Sequence, residues 1–199
     1  MTVIASTTPR TLTDVLLPGQ SHWLNLARIV AGSLFIALAA QVSIPLPFTP
    51  VPITGQTFAI LLTGILLGGN RGALAVLLYL AEGAVGLPVF AGGASGLAKF
   101  VGPTGGYLFA FPFDAYLTGR LAEAGWDRKP ATAGLAMFLG SLVVLTAGSL
   151  NLARFVPGGL SSGFTLGFLP FLPGDLVKTT LAALLLPGAW RLVGRAARR

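Results

Sequence analysis

The chain has 199 residues, of which 54% are hydrophobic and only 10% charged, and its mean hydropathy is +0.81. That balance belongs to an integral membrane protein, with room for about six spans of roughly 20 residues each and none for a separate soluble domain. The absence of Cys and the presence of a single histidine, His22, exclude disulfides and leave no ligand set for a thiolate, haem or zinc site, and the net charge of +7 is scattered along the chain rather than gathered on one surface, which excludes a nucleic-acid partner.

Residues 1–22 are mostly polar, carry Arg10 and Asp14, and lack the basic end and apolar core of a secretory signal, so they are expected to form a retained, flexible tail. Apolar runs broken by Gly, Pro or charge then place helices over 24–42, 54–69, 72–86, 104–121, 131–153 and 173–194. The expected fold is an all-α integral membrane protein with six transmembrane helices in a domain spanning 23–195, followed by a basic tail at 196–199. With six spans, Arg10, Arg28, Arg71, Arg120, Arg128, Lys129, Arg191, Arg195, Arg198 and Arg199 fall on one side, ten of the thirteen basic residues, and only Lys99 and Arg154 on the other. The positive-inside rule makes both termini cytoplasmic.

The first outer connection, Ser43 to Pro52, holds four prolines and no charge. Each proline removes a donor and restricts its predecessor, so the segment is not a helix; it reads as a stiff apolar lid over a cavity or as a turn lying in the interface. The second outer connection is glycine-rich, with eight glycines between Gly83 and Gly106. Glycines there let backbone approach a small molecule closely. No strand precedes them and no GKS or GKT follows, so a nucleotide cradle is discounted. Lys99 lies in the same connection, either as a solvated charge or as an anion-attracting residue at a pocket mouth.

Asp175 and Lys178 lie inside the last apolar segment, where each would cost about 2.5–3.5 kcal/mol at the centre of a lone membrane helix. They are expected to bind a ligand or, at helical spacing, to neutralise each other. Gln56, Glu82 and Tyr107 fall at the same depth, giving groups able to pair with an amide or ureido group and an ammonium able to neutralise a carboxylate, while Glu82 reads equally as a residue snorkelling to the interface and Tyr107 as one of an aromatic belt. Phe48, Phe90 and Phe100 are expected to supply apolar walls. Asp114, deeper in the fourth span, has no evident partner. No nucleophile–base pair or metal set is present, which argues for a binder and against an enzyme.

The order Pro50-Val51-Pro52-Ile53-Thr54-Gly55-Gln56-Thr57, Gly86-Leu87-Pro88-Val89-Phe90-Ala91-Gly92-Gly93, Gly102-Pro103-Thr104-Gly105-Gly106-Tyr107 and Pro173-Gly174-Asp175 with Lys178 resembles the BioY family, the biotin-specific substrate-binding (S) components of energy-coupling factor (ECF) transporters. The resemblance runs from about Leu24 to Arg195. It implies high-affinity biotin capture and uptake at the plasma (inner) membrane by a multi-pass protein whose extracytoplasmic pocket is roofed by the loop between helices 1 and 2. The substrate-binding residues it implies are Asp175, Lys178, Tyr107, Gln56, Gly92, Gly93 and Phe90. Some members carry a basic residue after the Gly-Gly-Tyr and an Asn in the glycine turn, where this chain has Leu108 and Ala94; Lys99 is the substitute candidate for the ligand carboxylate.

The resemblance also implies partners: an ECF transmembrane coupling subunit and two cytoplasmic ATPase subunits. ATP is then used by those partners, and no cofactor is expected in this chain. Such S components dock through small residues of the first helix, here Ala27 with Ala31 or Ser33 with Ala37, although small residues equally suit packing inside the bundle. Two other readings stay open at this point: an S component for another small vitamin, and a stand-alone membrane channel or enzyme using the Asp175/Lys178 pair.

Overall fold

The computed structural model describes residues 11–19 and 21–196, with side chains as far as Val193. Arg10, Arg198, Arg199 and the side chain of Arg195 lie outside that description, as does the expected tail beyond Ala196.

The described part of the N-terminal segment, expected to be a flexible tail, holds a short helix. Thr11 caps a short helix, α1 (Leu12–Leu16), in a reciprocal capping box with Asp14. Leu12 is buried, and the Thr13 hydroxyl donates to the Leu66 carbonyl at 2.6 Å. Asp14 accepts from both terminal nitrogens of Arg71 at 2.7 Å, and from Arg28 at 3.3 Å. Arg28 is itself buried and donates to the Leu17 carbonyl and to Asn25. Partial burial alone would raise the Asp14 carboxyl, but the bonds from Arg71 and Thr11, with the Arg71 charge, hold it below its ordinary value. Charge pairing, invisible to hydrophobic periodicity, orders this stretch.

Helix α2 (His22–Ala40) leads into an antiparallel hairpin of β1 (Ser43–Leu46) and β2 (Thr49–Thr54), with Ser43 opposite Thr54 and Leu46 opposite Thr49. The ladder is irregular between Ile44 and Leu46, where Pro45 interrupts it, and Pro47-Phe48 makes the turn. Proline is confined to edges, bulges and turns of sheets, and an isolated hairpin offers only such positions. The expected non-helical lid is therefore a two-stranded flap.

Next come α3 (Gln56–Leu67), α4 (Gly69–Ala84), the short α5 (Ala98–Val101), α6 (Gly105–Glu123), α7 (Pro130–Leu152), α8 (Gly159–Gly167) and α9 (Leu172–Ala196). The six long helices match the expected runs within a few residues. The sequence reading did not anticipate α5 or α8. Helix α6 lies at the centre, against α3, α4 and α7, while α9 packs on α7. Close approach depends on small residues: a Cβ at Gly64 would collide with the Ala115 carbonyl of α6, and one at Gly72 would lie 2.7 Å from the Gly64 Cα. Such backbone proximity is the main source of helix association in lipid, where apolar contact alone gives no preference for protein over hydrocarbon.

At the end of the bundle near α1, Trp190 of α9 donates to the buried Asp127 at 2.5 Å, and the Arg128 guanidinium lies 4.8 Å from the Trp190 ring centre. Burial raises the Asp127 carboxyl, against the bond from Trp190 and the charge of Arg128. Among the described residues, three helical stretches are long and apolar enough to cross a membrane by length and composition: His22–Ala40, Pro130–Leu152 and Gly159–Val193. Leu34, Leu38, Phe109, Phe113, Leu181 and Leu184 are exposed on the exterior, an apolar surface suited to lipid.

Candidate functional site

At the end of the bundle opposite Asp14 and Arg71, the start of α3, the glycine-rich connection after α4 and the starts of α6 and α9 enclose a cavity of about 480 Å³ beneath the hairpin. That volume suits a small organic ligand. Pro45, Leu46, Pro50 and Val51 form its roof, and Phe111, Leu145 and Phe171 its apolar wall.

Asp175 and Lys178 both line the cavity and also pair with each other, at 3.3 Å between Nζ and Oδ1. Asp175 is 5% exposed. Its second oxygen accepts from the Ser141 hydroxyl of α7, and the Lys178 ammonium donates to Thr57 Oγ1 of α3 at 2.7 Å. Neither hydroxyl was singled out from the sequence. Thr57 lies beside Gln56 in the Pro50–Thr57 motif, and that adjacency is the available signal; Ser141 carries none.

Gln56 lines the cavity with one amide N–H committed to the Tyr79 hydroxyl at 2.9 Å, and Tyr79 in turn donates to the Val89 carbonyl at 3.1 Å. Tyr79, also not anticipated, is completely buried and ties α3 through α4 to the glycine-rich connection. Phe90 packs edge-on against Tyr79 and Phe100, with its ring on Gly83, where a Cβ would overlap it. Tyr107 offers its ring to the cavity, because its hydroxyl is spent on the Gly167 carbonyl at 2.6 Å.

Gly92 lines the cavity at φ 65°, in a turn closed by a bond from the Gly93 amide to the Phe90 carbonyl at 3.0 Å. A Cβ at Gly92 would meet open space, but its left-handed backbone favours glycine. Gly93, at φ 75°, shapes the turn without lining the cavity. Lys99, on α5, is exposed and lines the cavity, as do the buried Leu108 and the half-buried Ala94.

Three expectations change. Glu82 does not line the cavity; it accepts from the Ser33 hydroxyl of α2 at 2.6 Å, because the buried Ser33 faces it. Phe48 is 55% exposed at the hairpin turn, and Phe100 stands behind Phe90, so of the three expected aromatic walls only Phe90 reaches the cavity. Ser33 and Ala37 are buried within the bundle, whereas Ala27 and Ala31 lie on its exterior. Asp114 is fully buried on α6, and neither of its oxygens has a hydrogen-bond partner among the described residues.

A helical membrane bundle that holds a small-molecule cavity under a hairpin lid, floored by a paired acid and base, defines a substrate-binding membrane protein. The BioY family model matches residues 12–195, and the chain belongs to that family. It is 41% identical over 160 residues to the biotin transporter BioY of Rhizobium etli, covering 77% of this chain and 85% of that one. It is 38% identical over 165 residues to the biotin transporter BioY of Thermotoga maritima, covering 79% and 92%. The crystal structure of an S-component for biotin from an ECF-type ABC transporter superposes with a TM-score of 0.75 at 28% identity, covering 87% of this chain and 95% of that chain.

Proposed function

We propose that this chain captures biotin for uptake as the substrate-binding subunit of an ECF-type transporter, and that it is not an enzyme. The observation that carries the reading is the paired Asp175 and Lys178 at the floor of a lidded cavity of about 480 Å³, in a chain of the BioY family. In this reading Asp175, Lys178 and Gln56 supply polar contacts, Tyr107 and Phe90 supply ring faces, the Gly92-Gly93 turn lets the backbone approach the ligand, and Lys99 attracts its carboxylate. Titrating the purified chain with biotin, with unrelated vitamins as controls, tests it: saturable binding of biotin alone is expected, and no binding overturns it.

All six long helices cross the plasma membrane in this proposal, with the cavity outside and both termini in the cytoplasm. The gathering of Arg28, Arg71, Arg120 and Arg128 at the end away from the cavity supports that orientation. Docking to the coupling subunit falls to Ala27 and Ala31, whose exposure on α2 leaves backbone open to a partner helix. ATP is hydrolysed by the two partner ATPases, and no cofactor is assigned to this chain.

A further inference from the structure

Lys178 carries three donor hydrogens. One points to Asp175 at 3.3 Å and one to Thr57 at 2.7 Å, so the closer partner of the ammonium is the neutral hydroxyl of α3 and not the carboxylate one turn earlier. On the other side, Asp175 divides its two oxygens between Lys178 and Ser141. Ser141 is 4% exposed on α7 and lies behind the cavity wall. A helical serine commonly turns its hydroxyl back to the carbonyl one turn before; this one reaches across to α9 instead.

A lysine on a flexible four-carbon stem beside an aspartate would otherwise fold onto it, and both charges would satisfy each other rather than a ligand. Here two hydroxyls from two further helices hold the pair from outside.

We propose that Thr57 and Ser141 are positioning residues that keep the Asp175–Lys178 pair open, leaving the third ammonium hydrogen and the free lone pairs of the carboxylate for the bound molecule. The inference rests on the reading of Asp175 and Lys178 as ligand contacts. Thr57 itself lines the cavity while its oxygen is engaged by Lys178.

The test separates the hydroxyls from the shape of the side chains. Thr57→Val keeps the shape and removes the hydroxyl, while Thr57→Ser keeps the hydroxyl; Ser141→Ala and Ser141→Cys remove or weaken the donor in α7. Hydrogen bonds to charged groups correspond to about ten- to a hundredfold in affinity. Biotin titrations should therefore show losses of that size for Thr57→Val, Ser141→Ala and Ser141→Cys, and a change within about threefold for Thr57→Ser. Wild-type affinity in Thr57→Val and Ser141→Cys, or an equal loss in Thr57→Ser and Thr57→Val, overturns the proposal.

Thermal unfolding without ligand supplies a readout independent of the substrate. The pairs Thr57→Val with Lys178→Met and Ser141→Ala with Asp175→Asn should be non-additive, and additive effects overturn the pinning. A wild-type chain that binds no biotin overturns the substrate reading alone, because the unfolding cycles still decide whether the pair is held.

Discussion

Removing the charge of Lys178 while keeping its bulk, as Lys178→Met, leaves Asp175 with Ser141 as its one side-chain partner among the described residues. The Asp175 side chain is 6% exposed and that of Lys178 18%. Breaking a buried pair costs about 3–5 kcal/mol, but water reaches part of the lysine, so a loss of about 2–3 kcal/mol of stability is expected. That is a large share of the roughly 5–15 kcal/mol that holds a domain folded. The double variant Asp175→Asn/Lys178→Met removes both charges and keeps an oxygen for Ser141, and its stability should return to within about 1 kcal/mol of wild type. Biotin binding should not return: at about 2 kcal/mol or more per lost ligand contact, both variants fall at least roughly thirtyfold in affinity. Unfolding followed by fluorescence of Trp126 and Trp190, together with biotin titration, measures both quantities. A double variant that binds biotin within threefold of wild type would show that the two charges serve only each other, and would refute their role as ligand contacts.

Ala27→Trp and Ala31→Trp should bind biotin normally in detergent but fail to co-purify with a coupling subunit, whereas Ser33→Trp and Ala37→Trp, at buried positions, should lower folded yield first; normal assembly by both alanine variants would move docking to another face. Lys99→Ala should weaken biotin more than biotin amide if Lys99 meets the carboxylate, and equal weakening would return it to a solvated charge. Asp114→Asn should leave binding within about twofold and stability unchanged or higher, because neither oxygen of that buried carboxyl has a hydrogen-bond partner among the described residues; a marked loss of either would reveal a partner. The Asp14 carboxyl is held below its ordinary value of 3.8 in the folded protein, so its stabilising contribution is complete above that value and is lost as pH falls through the lower folded one. The unfolding midpoint of wild type should therefore exceed that of Asp14→Asn at neutral pH, and the gap should close on acidification below about pH 4; a gap independent of pH would sink the ion-network account.

Hydropathy placed the six long helices because each buries or exposes a continuous apolar surface, and that property is local to the run. It could not place α1, where the ordering force is Asp14 drawing on Arg28 and Arg71, side chains 14 and 57 positions away. Proline content excluded a helix from residues 43–52, yet the same prolines concealed the hairpin, since four missing donors in ten residues argue against a sheet until the irregular ladder and the turn absorb them. Residues whose stabilisation is distant in sequence are the ones that periodicity misreads.

The site divides along the same line. A charge within an apolar run is costly wherever it stands, so Asp175 and Lys178 announced themselves by type alone. Serine and threonine are ordinary in membrane helices, where their hydroxyls can satisfy a carbonyl of their own helix, and nothing in their identity signals a further use. Whether Ser141 serves Asp175 depends on the rotation of α7 against α9, and whether Thr57 serves Lys178 depends on contact across 121 residues of chain. Glu82 shows the converse. By type and depth it belonged with the ligand contacts, and only the phase of α2, which turns Ser33 toward it, removes it from the cavity. Residue type thus identifies which groups require a partner, and helix phase decides whether that partner is a ligand or the protein. The hydroxyls that engage Asp175 and Lys178 leave part of each group's bonding capacity unused, and the lidded cavity lies beside that remainder.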